Sequence, residues 1–218
     1  TLTASAGTLA ASSSGGVVVG GSSSALTLTG SPSDINTYLD TTTNVKYTGA
    51  TNVNGTGAAT ITITGADGTT SNVAMGTVSI NISAVDDAPT VSSVPDESVV
   101  LSVGQNIDLA ASSVADVDSA SVTATISVDS GTLTAASAAS NHSGGAAVVQ
   151  TDSQTVTLTG SPAQVDAYLN DTAELSFTSA ASTANVTLTV SIDDGVNSAV
   201  SDTATISVLD VARPSASN

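Results

Sequence analysis

Aspartates stand in closely spaced pairs at three places in the sequence, each beside a run of residues typical of a β-strand. The pairs are Asp86 with Asp87, Asp116 with Asp118, and Asp193 with Asp194. Calcium takes about six to eight oxygen ligands, which carboxylates and loop carbonyls supply, whereas a site without His or Cys suits zinc or copper poorly. The pairs therefore predict a calcium site. The alternative is that these aspartates only favour turns and keep the protein in solution.

The charge of the chain favours cations as partners. Nineteen acidic residues stand against two basic ones, which gives a formal net charge of −17. Binding to nucleic acid or to anionic lipid depends on Lys and Arg, so we expect neither partner. No apolar run approaches the roughly 20 residues that a membrane-spanning helix needs, so we expect no membrane insertion.

Residues suited to catalysis are scarce. The chain has no Cys and a single His, His142, in the sequence NHSGG. A Ser–His–Asp assembly has no specific support, because Ser and Asp are abundant throughout. Neither a G-x-S-x-G nucleophile motif nor a phosphate-binding loop occurs. We therefore expect a protein that is not an enzyme.

Apolar residues recur at every second position in most segments, which is typical of strands with one buried face. The predicted core faces include Leu26 and Leu28; Ile61 and Ile63; Val78, Ile80 and Ile82; Val122, Ala124, Ile126 and Val128; Val186, Leu188, Val190 and Ile192; and Ala204, Ile206 and Val208. Turn-forming residues separate these runs, so the pattern predicts an all-β fold. In SPSDINTYL at 31–39 and SPAQVDAYL at 161–169, a Ser that can cap precedes Pro, which predicts two short helices.

One pattern is present twice in the chain. ALTLTGSPSDINTYLD at 25–40 matches TVTLTGSPAQVDAYLN at 155–170, and the flanking segments align as well. The predicted domains are an incomplete repeat at 1–88 and a complete repeat with a C-terminal linker at 89–218. The first repeat has no counterpart of residues from about 91 to 124, so we expect it to lack its N-terminal strands and to present an open sheet edge.

In the same alignment ADG at 66–68 corresponds to DDG at 193–195. Asp67 is therefore predicted to form half of a calcium site whose D-x-D partner is missing from the first repeat.

The order of these segments resembles the cadherin-like tandem repeats of large bacterial surface proteins and adhesins. The resemblance rests on DVDSASVTATISVDSGTL at 116–133, VTLTGSPAQVDAYLN, VTLTVSIDDG, TATISV and the linker VDDAPT at 85–90. It implies two tandem immunoglobulin-like or cadherin-like β-sandwiches at the cell surface, with calcium at the junction between domains. The six paired carboxylates are then expected to converge at one end of a sandwich.

Three functions follow as hypotheses. The first is a non-catalytic extracellular module of an adhesin or filament, stiffened by calcium, whose partners are neighbouring repeats or subunits of the same protein. The second is a self-assembling fibre subunit whose incomplete first sandwich is completed by strands of a neighbour. The third is a carbohydrate-binding module that recognises a surface glycan or receptor, although aromatic residues are few and core packing is the expected role of Tyr38, Tyr47, Tyr168 and Phe177.

Overall fold

The computed structural model describes residues 1–70, 73–136 and 143–211, so His142 lies outside the described residues. The chain divides into two compact units, Thr1–Val85 and Asp86–Asn218. The sequence pattern places this boundary after residue 88, whereas the structure places Asp86 and Asp87 in the second unit. Both units are mainly β.

The first unit contains one larger and one smaller sheet. The five-stranded sheet has the order β3-β4-β1-β6-β7, and β2 pairs with β5 in the other sheet. The elements are β1 (Leu2–Ala4), β2 (Thr8–Ala11), β3 (Val18–Gly21), β4 (Ala25–Thr29), α1 (Pro32–Leu39), β5 (Val45–Thr48), β6 (Gly55–Gly65) and β7 (Val73–Ile82).

The second unit repeats this arrangement and adds four strands ahead of it. Its described sheets have the orders β14-β15-β12-β17-β18-β9, β10-β16-β13 and β11-β8. The elements are β8 (Thr90–Ser92), β9 (Glu97–Val100), β10 (Gln105–Asn106), β11 (Ser113–Ala115), β12 (Val122–Val128), β13 (Thr132–Ala135), β14 (Ala147–Gln150), β15 (Thr155–Gly160), α2 (Pro162–Leu169), β16 (Leu175–Thr178), β17 (Val186–Asp193) and β18 (Val200–Leu209), with one 3₁₀ turn at Ser143–Gly145.

The paired strands follow the same order in the two copies of the repeated sequence pattern. The order β3-β4-β1-β6-β7 in the first unit is matched by β14-β15-β12-β17-β18 in the second. Leu9 of β2 lies opposite Tyr47 of β5, and the aligned residues Leu133 and Phe177 lie opposite each other in the second unit. The four strands β8 to β11 have no equivalent among the described residues of the first unit.

Both predicted helices are present and begin as the capping sequences indicate. The backbone N–H of Asp34 donates to Oγ of Ser31 at 3.1 Å. At α2 the cap is reciprocal, since the backbone N–H of Gln164 donates to Ser161 Oγ at 3.3 Å and that of Ser161 donates to Gln164 Oε1 at 2.8 Å. Each cap pairs a backbone N–H group that the first helical turn leaves without a partner.

The alternating pattern correctly predicts the core of the second unit. In β12 and β17 each predicted core residue is buried, and the same holds for the predicted face of β18. Apolar residues of β8, β9 and β11 belong to the same core cluster, among them Val91, Val99 and Val114. The resulting architecture is sandwich-like.

In the first unit, the prediction that Val78, Ile80 and Ile82 of β7 form a core face is wrong. Val78 is 46% exposed, and Ile80 and Ile82 are only half-buried. The equivalent face of β18 is buried because β9 pairs beside it and the segment from Val91 to Val114 packs over the core. Period-2 patterning shows which side chains share a face, but burial depends on whether another segment covers that face.

Candidate functional site

Four of the predicted carboxylates, those of Asp86, Asp116, Asp118 and Asp194, lie close together in one part of the second unit, and with Asn197 they are here called the acidic cluster. Asp86 is the first residue of the unit, and Asp194 and Asn197 lie in the loop after β17. Asp116 and Asp118 follow directly after β11. The ladder that joins β12 to β17 and the pairing of β8 with β11 bring these loops to the same end of the unit.

Asn197 joins the first and last parts of the cluster. Its side-chain nitrogen donates to Oδ2 of Asp86 at 2.6 Å and to Oδ2 of Asp194 at 3.0 Å. Asp194 Oδ1 in turn accepts the backbone N–H groups of Val196 and Asn197, both at 2.8 Å. The amide nitrogen therefore lies between two carboxylates and donates a hydrogen to each of them.

The D-x-D motif forms a turn that leaves one oxygen without a partner. Asp116 Oδ1 accepts the backbone N–H groups of Asp118 at 3.1 Å and Ser119 at 2.9 Å. The other oxygen, Oδ2 of Asp116, is buried and accepts no hydrogen bond from the described part of the chain. A buried carboxylate oxygen without a donor is rare in folded proteins and calls for an explanation such as an ion or a water.

Asp87 contacts the acidic cluster through its backbone N–H. Its N–H points at both carboxylate oxygens of Asp118, at 3.4 and 3.3 Å, which is long for a hydrogen bond. Asp193 is exposed, and its Oδ1 accepts the backbone N–H of Gly195 at 2.7 Å. The two carboxylates thus differ from the other four, because Asp193 stabilises its own turn and Asp87 contributes a backbone N–H.

Within the acidic cluster, the pKa of Asp86 is raised. This pKa lies above the ordinary value first because of partial desolvation and then because of the negative charges of Asp118 and Asp194. Hydrogen bonds from Asn197 and Val196 lower the pKa of Asp194. At Asp116, desolvation raises the pKa, but the backbone N–H groups of Ser119 and Asp118 outweigh it and the net shift is downward.

Asp67 is placed by a turn of the first unit. Its Oδ1 accepts the backbone N–H groups of Thr69 at 3.0 Å and Thr70 at 2.8 Å, and the hydroxyl of Thr69 at 2.8 Å. These three donors lower the pKa of Asp67. This carboxylate is an Asx-turn acceptor, which is the local role that Asp plays most often in loops.

Across residues 1–70, 73–136 and 143–211, no group of three or more His, Cys, Asp or Glu side chains is already arranged to hold a metal ion. In the acidic cluster the amide of Asn197 lies between Asp86 and Asp194. Sequence reasoning missed Asn197, although DDGVN contains the signal: an Asx residue three positions after an Asp in a tight turn.

The aromatic residues have the core positions expected of them. Tyr38, Tyr168 and Phe177 are buried, and Tyr47 packs half-buried against the first core. The hydroxyl of Tyr38 donates to the carbonyl of Ser12 at 2.7 Å. These rings therefore pack inside the protein rather than presenting flat faces to a sugar.

No protein-family description matches the chain, and a search of curated proteins finds no match. In the described part of the chain, no helix combines the length and the apolar character needed to cross a bilayer.

Proposed function

We propose that this chain is a non-catalytic structural module of an extracellular surface protein, in which the acidic cluster binds calcium. The observation that carries the proposal is the gathering of Asp86, Asp116, Asp118 and Asp194 at one place, where partial desolvation and then the negative charges of Asp118 and Asp194 raise the pKa of Asp86. Clustered carboxylates repel one another, and a divalent cation removes that repulsion while using the same oxygens as ligands. The net charge of −17 and the resemblance to cadherin-like repeats support the same function.

The donor set fits calcium better than a transition metal. Asp86, Asp116, Asp118 and Asp194 offer carboxylate oxygens, and Oδ2 of Asp116 accepts no hydrogen bond from the residues that the structure describes. Asn197 also fits, because rotation of its amide by half a turn presents Oδ1 in place of the nitrogen. Hard oxygen ligands without His or Cys are typical of calcium sites.

The proposed mechanism is mechanical. The chain leaves Val85 and enters the second unit at Asp86. A bound ion would tie Asp86 to the loops that carry Asp116 and Asp194, so the segment between the units would lose freedom at its second-unit end. A module of this kind resists bending in a tandem array, and its partners are neighbouring repeats or subunits.

Calcium titration of the full chain tests this function. Thermal melting in EDTA, in calcium and in magnesium, at matched ionic strength, separates specific binding from the screening that any salt gives a chain of net charge −17. Ligand at about 100 times its dissociation constant stabilises the folded state by roughly 2.7 kcal/mol, enough for a shift of several degrees. An unchanged melting temperature together with an unchanged hydrodynamic radius would rule calcium out.

A second candidate function, a strand-complemented fibre subunit, is favoured by one observation. The sheet of the first unit has apolar residues exposed on β7 where the second unit has them covered. Assembly through this exposed face would not require calcium. Chains that remain monomeric at high concentration would count against it.

A further inference from the structure

The first unit has an apolar groove between α1 and the sheet. Its volume is about 420 Å³. Residues that line it include Leu2, Leu28, Ile35, Leu39, Ile63 and Met75. Leu39 is 41% exposed and Met75 is 70% exposed, so large apolar side chains face solvent there.

The second unit shows what fills the same space. Leu169, which aligns with Leu39, is 1% exposed, and Val165, which aligns with Ile35, is fully buried. Val91 of β8 and Val114 of β11 lie in the same core cluster as these residues. The paired strands β8 and β11 therefore occupy in the second unit the position that is open in the first.

A polar contact fixes the position of the paired strands β8 and β11. The backbone N–H of Val114 donates to Oδ1 of Asp166 on α2 at 2.8 Å. Asp166 aligns with Asn36, which lines the groove of the first unit and offers a side-chain oxygen at the matching position of α1. The groove thus has an acceptor for an incoming strand as well as an apolar floor.

An adjacent edge is also open. Within the described residues β7 pairs only with β6, whereas β18 pairs with β17 on one side and in parallel with β9 on the other. The paired residues Ile61 and Val78 correspond to Leu188 and Ala204. The edge of β7 is therefore equivalent to the edge of β18 that β9 covers.

We propose that this groove and edge form a docking site for an extended polypeptide segment with the chemistry of residues 89–121. Such a segment would add a strand parallel to β7, place apolar side chains over Leu39 and Met75, and donate a backbone N–H to Asn36. Strand addition supplies backbone hydrogen bonds along the edge, and the alternate side chains supply specificity. The proposal does not depend on calcium.

The probe is a synthetic peptide of residues 89–121, added to the full chain in EDTA so that the result is independent of calcium binding. Binding is measured by calorimetry, and hydrogen exchange locates the peptide. We expect one peptide per chain, with new protection in α1 and β7. A scrambled peptide of the same composition is the peptide control.

Met75→Asp and Val18→Asp form the matched pair of variants. Both side chains are well exposed, at 70% and 64%, so neither substitution removes a buried contact, and only Met75 lines the groove. We expect Met75→Asp to weaken peptide binding at least tenfold and Val18→Asp to leave it unchanged. Circular dichroism checks that both variants fold.

Each of the following outcomes would overturn the proposal. The first is that the 89–121 peptide binds no better than the scrambled one. The second is that Met75→Asp and Val18→Asp bind the peptide equally well, or that protection appears only in the second unit. The third is that the chain self-associates through this face, so that Met75→Asp dissociates oligomers that the peptide leaves intact.

Discussion

The side-chain nitrogen of Asn197 lies 2.6 Å from Oδ2 of Asp86, across a separation of 111 residues in the chain. The same nitrogen lies 3.0 Å from Oδ2 of Asp194. One neutral amide therefore bridges two carboxylates that would otherwise repel each other. This bridge holds the start of the second unit to the loop after β17, and it is the contact that a bound cation would most directly replace.

The effect of Asn197→Asp on the melting temperature should depend on calcium. In EDTA the new carboxylate faces Asp86 and Asp194 without a cation, so we expect a lower melting temperature than that of the unchanged protein. In calcium the extra oxygen ligand carries charge, and we expect a larger calcium-induced rise in melting temperature. Asn106→Asp adds the same charge to an exposed residue of β10, and we expect its melting temperature to show no such dependence on calcium. A calcium response that is the same in both variants would contradict the assignment of Asn197 to the site.

The pH dependence of stability should separate Asp86 from its neighbours. Because the pKa of Asp86 is raised from 3.8, the folded state holds that proton more tightly than the unfolded state, and the contribution of Asp86 to stability falls as pH rises above 3.8. The lowered pKa values of Asp116 and Asp194 act in the opposite direction, since their stabilisation is present above 3.8 and is lost as pH falls through the lowered values. Urea unfolding in EDTA should therefore find Asp86→Asn more stable than the unchanged protein near pH 7, with the difference shrinking on acidification. A difference that grows towards acid would show the sign to be wrong.

Protons and calcium should also compete at Asp86. Because its pKa is raised, this carboxylate binds a proton more readily than an ordinary Asp does, and calcium must displace that proton. We expect the calcium-induced rise in melting temperature to be smaller at about pH 4.5, close to the usual carboxylate range, than at about pH 7. Asp129→Asn, which removes a carboxylate that accepts the N–H of Thr187 at 3.0 Å, is the control and should keep the pH dependence of the unchanged protein.

Gly131→Ala should destabilise the second unit more than Gly195→Ala does. Both glycines have left-handed backbone, with φ of 84° and 83°. A Cβ on Gly131 would lie 2.7 Å from the ring of Phe177 and from the carbonyl of Thr178, whereas nothing lies within 4 Å of the corresponding atom on Gly195. The left-handed conformation alone costs a residue with a Cβ about 1–2 kcal/mol. Urea unfolding should show that loss for Gly195→Ala and a clearly greater loss for Gly131→Ala, and equal losses would refute the close approach to Phe177.

Hydrogen exchange should distinguish β7 from β18. Of the residues described, β7 has a neighbour on one side only, so the N–H groups on its free side should exchange quickly, whereas β18 lies between β17 and β9. The interior strand β6, which pairs with both β1 and β7, is the internal control and should be protected. Equal protection in β7 and β18 would mean that the free edge of the first unit is covered in solution.

Much of the fold could be predicted from the sequence because the relevant signals are local. Alternation of apolar and polar residues fixes the period of a strand, and a Ser ahead of Pro fixes where α1 and α2 begin. The repeat could also be recognised, since residues such as Tyr38 and Tyr168 keep their place in both copies and are buried in both. The turns formed by Asp67 and Asp116 follow from the same local chemistry.

The tertiary structure alone decided which carboxylates share a site and which apolar faces are covered. Asp194 and Asp193 are neighbours in sequence, yet one joins Asn197 and the other accepts a hydrogen bond from Gly195, because their side chains leave the end of β17 in different directions. Val78 follows the same alternating pattern as the core residues of β18 but is exposed. The physical reason is that patterning acts over a few residues, whereas burial and the approach of Asp86 to Asn197 depend on segments paired from distant parts of the chain.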